Sequence, residues 1–242
     1  MRNRLTIAVA AGVAVVVLAG GGAYVYFFSG LRSSPSALGL SATPSPAATS
    51  TPTSATTGSL AGTWTVTTGS LAGYRVKELF VGEASKHEAV ARTSTVSGTL
   101  IVRGDTSAYQ VTGITFTAGL TDLHSVDSVA GRNVTQRDSF VSRQMNLQQF
   151  PNATFTASSG LVPATDGSGP VDVSAAGKLT IHGVTKDVTA TAKAQLTGGK
   201  IEIAGNLSID MTDYGVSPPS VPFTTVDSQV TIEFDLFLTK TV

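Results

Sequence analysis

Val171-Asp-Val-Ser-Ala-Ala-Gly-Lys-Leu-Thr-Ile-His182 decides the fold, because its side chains change character at almost every step. Val171, Val173, Ala175, Gly177, Leu179 and Ile181 take the odd positions, while Asp172, Ser174, Lys178, Thr180 and His182 are among the even ones. A period of two belongs to a β-strand with one dry and one wet face. The next segments repeat it. Val188, Ala190, Ala192, Ala194 and Leu196 alternate with Thr189, Thr191, Lys193 and Gln195. Ile201, Ile203, Leu207, Ile209 and Met211 alternate with Glu202, Asn206, Ser208 and Asp210, and Val230, Ile232, Phe234, Leu236 and Leu238 close the series. Alternation this regular predicts antiparallel strands.

Working backwards, further strands are expected over residues 63–67, 72–81, 89–103, 107–117 and 153–158. Turn signals such as Arg103-Gly104-Asp105 and Gly198-Gly199 separate neighbours, as in a meander of hairpins. One short helix interrupts them. Thr135-x-x-Asp138 has the form of a capping box, Phe140, Val141 and Met145 form an inner stripe, and Phe150-Pro151 ends it. The expected strands can bury their apolar faces as a sandwich or as a closed barrel. Evenly spaced hairpins favour an all-β, antiparallel up-and-down barrel, which also removes exposed edges. Ala175, Gly177, Ala190, Ala192 and Ala194 are small for inward positions. Either large side chains from opposite strands, such as Trp64, Phe155 and Phe234, fill the space they leave, or a ligand does. Both readings stay open at this point.

The N-terminal third has a different character. Residues 5–28 contain no charge, follow Arg2 and Arg4, and end in Tyr24, Tyr26, Phe27 and Phe28. About 20 apolar residues cross a bilayer, and basic flanks stay on the cytoplasmic side. Residues 1–30 are therefore expected to be a transmembrane anchor, with the rest of the chain on the extracytoplasmic side of the cell membrane. A cleaved secretory signal is the alternative, and it exports the same domain. Residues 31–61 are rich in Ser, Thr, Pro and Ala, with Arg32 the only charge. They are expected to form a disordered linker, a plain spacer rather than a glycosylated stalk. The domain proper is expected over residues 62–242.

Composition excludes several classes of function. The 242 residues include no Cys and carry a net charge of zero. Disulfides and thiolate metal sites are thereby excluded, and no basic face is expected for nucleic acid. No Gly-x-Ser-x-Gly elbow, His-Glu-x-x-His pair or phosphate-cradling glycine loop is present. His87 and His124 fall in expected loops without ligand spacing, and His182 shares the parity of Lys178 and should face solvent. The expectation is a binding protein that is not an enzyme, with no cofactor and no metal.

Several short pieces, in order, resemble the YceI-like family of lipid and polyisoprenoid-binding proteins. They are Gly62-Thr-Trp-Thr-Val66, Tyr74-Arg-Val76, Arg137-Asp138-Ser-Phe140, Phe150-Pro-Asn-Ala-Thr-Phe155, Gly177-Lys-Leu-Thr-Ile-His-Gly183-Val-Thr and Asp213-Tyr-Gly215-Val. The resemblance implies a lipocalin-like barrel whose apolar tunnel holds a long isoprenoid or acyl chain, usually in an exported protein. Two features depart from the family: Glu78 stands where many members have His, and extra residues occur around 129–133.

If a guest occupies the interior, the candidate wall residues are Trp64, Tyr74, Val76, Phe140, Phe155, Leu179, Ile181, Ala190, Ala192 and Phe234. Glu78, Arg137 and Asp138 are the candidate polar-head contacts. Glu78 lies on the apolar parity of its strand, but a bulge rotating it outward is the favoured reading, and Asp138 is equally well a helix cap. The leading expectation is binding, storage or transfer of an isoprenoid or other lipid beside the membrane. The alternative is a structural or protein-binding envelope module with a filled barrel. Expected partners are the lipid and, through the N-terminal helix, the membrane, with no nucleic acid; a homodimer is also considered.

Overall fold

Period-two segments become strands because alternate side chains can share one buried face. The computed structural model describes residues 32–41, 59–105, 108–160, 162 and 169–241. The expected membrane span and much of the expected linker lie outside these residues. No helix among the described residues is long and apolar enough to cross a membrane. The strands in chain order are β1 (Arg32–Ser33), β2 (Gly62–Val66), β3 (Leu71–Phe80), β4 (His87–Thr93), β5 (Val96–Asp105), β6 (Ala108–Gly119), β7 (His124–Ser125) and β8 (Ser128–Val129). Helix α1 (Gln136–Gln144) follows, then β9 (Asn152–Ala157), β10 (Val171–Ile181), β11 (Val184–Thr197) and β12 (Lys200–Asp210). A 3₁₀ turn (Met211–Tyr214), β13 (Ser220–Val221) and β14 (Thr224–Lys240) complete the chain.

The architecture is an antiparallel, lipocalin-like barrel of eight strands with one short helix. Its ring runs β2, β5, β6, β9, β10, β11, β12 and β14, and β14 closes it by pairing with both β12 and β2. The long β14 also pairs with β3 beyond the end of β2, and β3 pairs with β4. β2 and β3 thus follow each other along one edge of β14. The segment expected as one strand, residues 89–103, breaks at Ser94-Thr95, where Thr95 N–H donates to Thr93 Oγ1 at 3.1 Å and Gly119 N–H donates to Thr95 O at 2.7 Å. At this break the chain passes from β4, outside the ring, to β5, within it. β5 continues beside β6, whereas β4 pairs with β7. The segment carrying β7, β8 and α1 spans the wall between β4 and β9.

Two apolar clusters share the interior. At one end Trp64, Leu100, Val102, Val111, Ile114, Leu236 and Leu238 pack together, and Leu238 is fully buried. At the other end Val76, Leu179, Ile181, Leu207, Ile209, Tyr214 and Val230 form a second cluster. Phe155 and Phe234 pack against both. Gly177 makes this boundary: a Cβ there would stand 2.8 Å from the Phe155 ring. Gly177 is therefore covered by the Phe155 ring.

The outer face holds an arrangement that composition does not predict. Residues 33–41, expected to be part of a disordered spacer, lie across the barrel wall as a strap. Ser34 Oγ donates to Glu88 O at 2.5 Å, Arg75 Nη2 to Pro35 O at 2.7 Å and Arg92 Nη2 to Ser36 O at 2.5 Å. Leu38 N–H donates to Glu233 Oε2 at 3.1 Å, and Ser41 N–H to Glu202 Oε1 at 2.6 Å. Glu233 is 1% exposed and is also held by Arg75 and Arg92 at 2.6 and 2.9 Å. Apolar burial is not what holds this segment. Charge-assisted hydrogen bonds supply what this segment lacks in apolar surface. In the same layer Asp235 Oδ1 is buried without a partner. Its own burial, and then the charge of Glu202, push its carboxyl up to about 6.

Candidate functional site: a cavity at the helix-covered end

The second cluster does not fill its half of the barrel. A cavity of about 800 Å³ lies between the inner wall and α1. Its wall includes Tyr74, Val76, Leu179, Ile181, Ile209, Val230 and Ile232, and its roof includes Phe140, Val141 and Met145. The helix works as a roof because that stripe faces inward while none of its residues is fully buried. That volume falls within the roughly 300–1,000 Å³ of small-molecule pockets.

One polar cluster borders the cavity. Glu78 stays in phase with Tyr74, Val76 and Phe80 and is 3% exposed, so the outward rotation expected for it does not occur. A bulge does lie opposite, but it belongs to β14 between Val226 and Val230, and β3 keeps its alternation. The Glu78 carboxylate accepts from Arg137 Nη2 at 2.5 Å. Arg137 Nη1 donates to Asp127 Oδ1 at 2.8 Å and to Ser125 Oγ at 3.0 Å. Asp127 also pairs with His87 Nε2 at 2.7 Å and accepts from Val90 N–H at 3.0 Å. Burial alone would raise the Asp127 carboxyl; the hydrogen bonds from His87, Arg137 and Val90 outweigh it and hold it down at about 2. Burial opposes the Arg137 charge, and its bond to Asp127 with the nearby carboxylates more than restores it. Burial raises the Tyr74 hydroxyl well above its usual range, so it is a neutral phenol. Glu78, His87 and Asp127 bring ligating atoms within 4.8 Å of one another. Arg137 already bonds both carboxylates, so the cation of this cluster is a guanidinium.

A second polar group is Tyr214, from the 3₁₀ turn. It lines the cavity, is 2% exposed, and its Oη has no partner. A buried hydroxyl without a bond is uncommon enough to require an explanation.

The candidates named from sequence divide sharply. Tyr74, Val76, Phe140, Leu179, Ile181, Glu78 and Arg137 line the cavity. Trp64 does not: it sits in the filled cluster, its Nε1 donating to Leu60 O at 2.8 Å. Phe155, Ala190, Ala192 and Phe234 are also absent from the cavity wall: Ala190 is buried within the second cluster, and the aromatic pair packs between the two clusters. Asp138 is a tie, accepting from Ser125 N–H and Oγ at 2.9 and 2.6 Å. No capping box forms, since Thr135 Oγ1 donates to Asn133 Oδ1 instead. His87 lies on a strand rather than in a loop and is buried. His182 falls just beyond β10, at φ 51°, with Nδ1 3.1 Å from Tyr214 O and its ring edge-on to Phe150. The turn takes it off the strand parity that would have put it in solvent. Asp127 and Tyr214 were not identified from sequence. The only trace of either was Tyr214's place in the Asp213-Tyr-Gly215-Val piece.

The barrel fold has a counterpart among solved structures. A polyisoprenoid binding domain from Saccharophagus degradans, implicated in plant cell wall breakdown, superposes with a TM-score of 0.52 at 15% identity, covering 74% of this chain and 98% of that one. Burkholderia cenocepacia BcnA aligns at 19% identity with a TM-score of 0.46, over 68% of this chain and 95% of its own. A Campylobacter jejuni YCEI protein aligns at 16% identity with a TM-score of 0.45, over 69% and 86%. No curated protein matches the sequence. The family model for YceI-like domains matches residues 47–238. The chain belongs to the YceI-like domain family.

Proposed function

We propose that the chain carries one long-chain isoprenoid or similar lipid in the helix-covered half of its barrel, outside the cytoplasmic membrane. The cavity carries this reading: it is predominantly apolar, and the protein's own side chains leave it unfilled. Burying a methylene is worth about 0.8 kcal/mol over water, and bilayer hydrocarbon offers much the same. Exchange between membrane and barrel is therefore nearly thermoneutral, which suits a carrier. Charge around the cavity is mixed: Arg132 and Arg143 line it, and Arg137 bridges Glu78 and Asp127. The polar group left without a partner there is Tyr214 Oη, which can donate to an alcohol or quinone oxygen.

The test is to purify the full chain and analyse its organic extract by mass spectrometry, then to titrate it with a polyprenyl alcohol. Tyr214→Phe should weaken the alcohol about three- to tenfold, the worth of one hydrogen bond, and leave a hydrocarbon such as squalene unaffected. An empty extract together with no binding of either probe would sink the proposal.

A further inference from the structure

We propose that the cavity mouth sits directly on the lipid surface, with Val81 and Phe223 entering it and the strap of residues 33–41 fixing that orientation. This rests on the carrier reading and adds where the lipid enters. Val81 is 65% exposed and Phe223 60%, unusually high for large apolar side chains. They are neighbours, since Val81 N–H donates to Phe223 O at 3.0 Å. They belong to the cavity end of the barrel: Phe223 lines the cavity, as does Phe80 beside Val81. Arg132, also on the cavity wall, holds its guanidinium 4.6 Å over the Phe80 ring and donates to Val81 O. Apolar tips beside an aromatic ring and a snorkelling cation have the composition of an interfacial anchor.

The path of the chain gives an independent argument. β1 enters the described structure at this same end, pairing Arg32 with Val129 and Ser33 with Ser128, next to the cavity-lining residues 131–134. If the apolar segment ending at Phe28 spans the bilayer, only Ser29, Gly30 and Leu31 separate it from β1. Fully extended, that link reaches about 14 Å. From β1 the strap runs past Glu88, Arg75 and Glu233 to Glu202, so the tether is bonded to the wall at successive points. A barrel held this way cannot turn its mouth far from the membrane.

The chain has no Cys, so single labels are clean. Val81→Cys, Phe223→Cys and, at the β11–β12 hairpin of the opposite end, Leu196→Cys are each introduced into the full chain. An environment-sensitive fluorophore is attached, and the proteins are reconstituted in phosphatidylcholine vesicles containing a spin-labelled quencher lipid. The expected result is quenching about threefold or more stronger at 81 and 223 than at 196. Equal quenching at all three sites overturns the proposal. So does burial of 81 and 223 that is insensitive to quencher and grows with protein concentration, which indicates a second copy. Polyprenyl alcohol binding in detergent is measured on the same proteins. Binding without selective quenching sinks the docking alone, and selective quenching without binding supports docking while sinking the carrier. Val81→Ser, exposed and outside the cavity wall, should slow uptake of the alcohol from vesicles about threefold or more and leave detergent binding intact.

Discussion

The two ends of the barrel interior are made from the same alternating strands, yet one is packed solid and the other is hollow. At the packed end Trp64, Leu100, Leu236 and Leu238 are buried against one another. At the other end β3, β4 and β7 extend the wall from β14, and a helix with no fully buried residue covers the gap. Wall side chains there face a roof instead of an opposite strand, and the space between stays unfilled. The division of labour follows: the packed end holds the fold together, and the hollow end holds a guest. The hollow end also has the buried charges, because the segment filling its gap brings Asp127 and Arg137 against Glu78.

The largest expected effect tests those charges. Arg137→Met leaves Glu78 and Asp127 buried without their cation and should cost about 3–5 kcal/mol in urea unfolding. A loss below about 1 kcal/mol would show the cluster to be incidental. Next comes the packing contrast. Leu238→Ala at the full end should cost about 3–4 kcal/mol, with both a transfer and a cavity contribution. Leu179→Ala already borders a void, so it should cost about 2 kcal/mol. Equal losses would erase the distinction between the ends.

The smallest effects concern pH, and the two acids differ in sign. Asp127 is held near 2, below its ordinary 3.8, so its stabilisation is complete above about pH 4 and lost as pH falls through 2. Asp235 is raised to about 6 from 3.8, so its ionisation costs stability, with the penalty growing as pH rises from about 4 through 6. Asp235→Asn should therefore stabilise the protein by about 1 kcal/mol at pH 8, after discounting for partial solvent contact, and by little at pH 4. A variant equally stabilised at both values would trace the effect to something other than charge.

Much of this fold was legible because period two is a local signal. The dry faces of β10, β12 and β14, and of β11 as far as Ala194, were readable in the alternation, and the parity that put Val76, Leu179 and Ile181 inside is the parity observed; at the end of β11 the order reverses, with Leu196 exposed and Gln195 buried. What local alternation does not encode is which inward residues meet across the ring. Trp64 and Ile181 both point inward and differ only in which end they occupy, which depends on register around the barrel. Glu78 was legible by parity and lost to the expectation that a buried carboxylate is avoided; its partner Arg137 lies 59 residues away. The strap was missed for a related reason. Arg75, Glu202 and Glu233 occupy outward positions, which alternation assigns to solvent, and nothing local marks them as the ground for a segment far away in sequence.

The hollow end is tested most directly by filling it. Val76 is 7% exposed and borders the cavity, so Val76→Trp places an indole in existing space. Native mass spectrometry of both proteins with a polyprenyl alcohol should find a single lipid on the wild type and none on a folded variant. Equal occupancy in the two would contradict the account, because the lipid would then be bound somewhere other than the barrel interior.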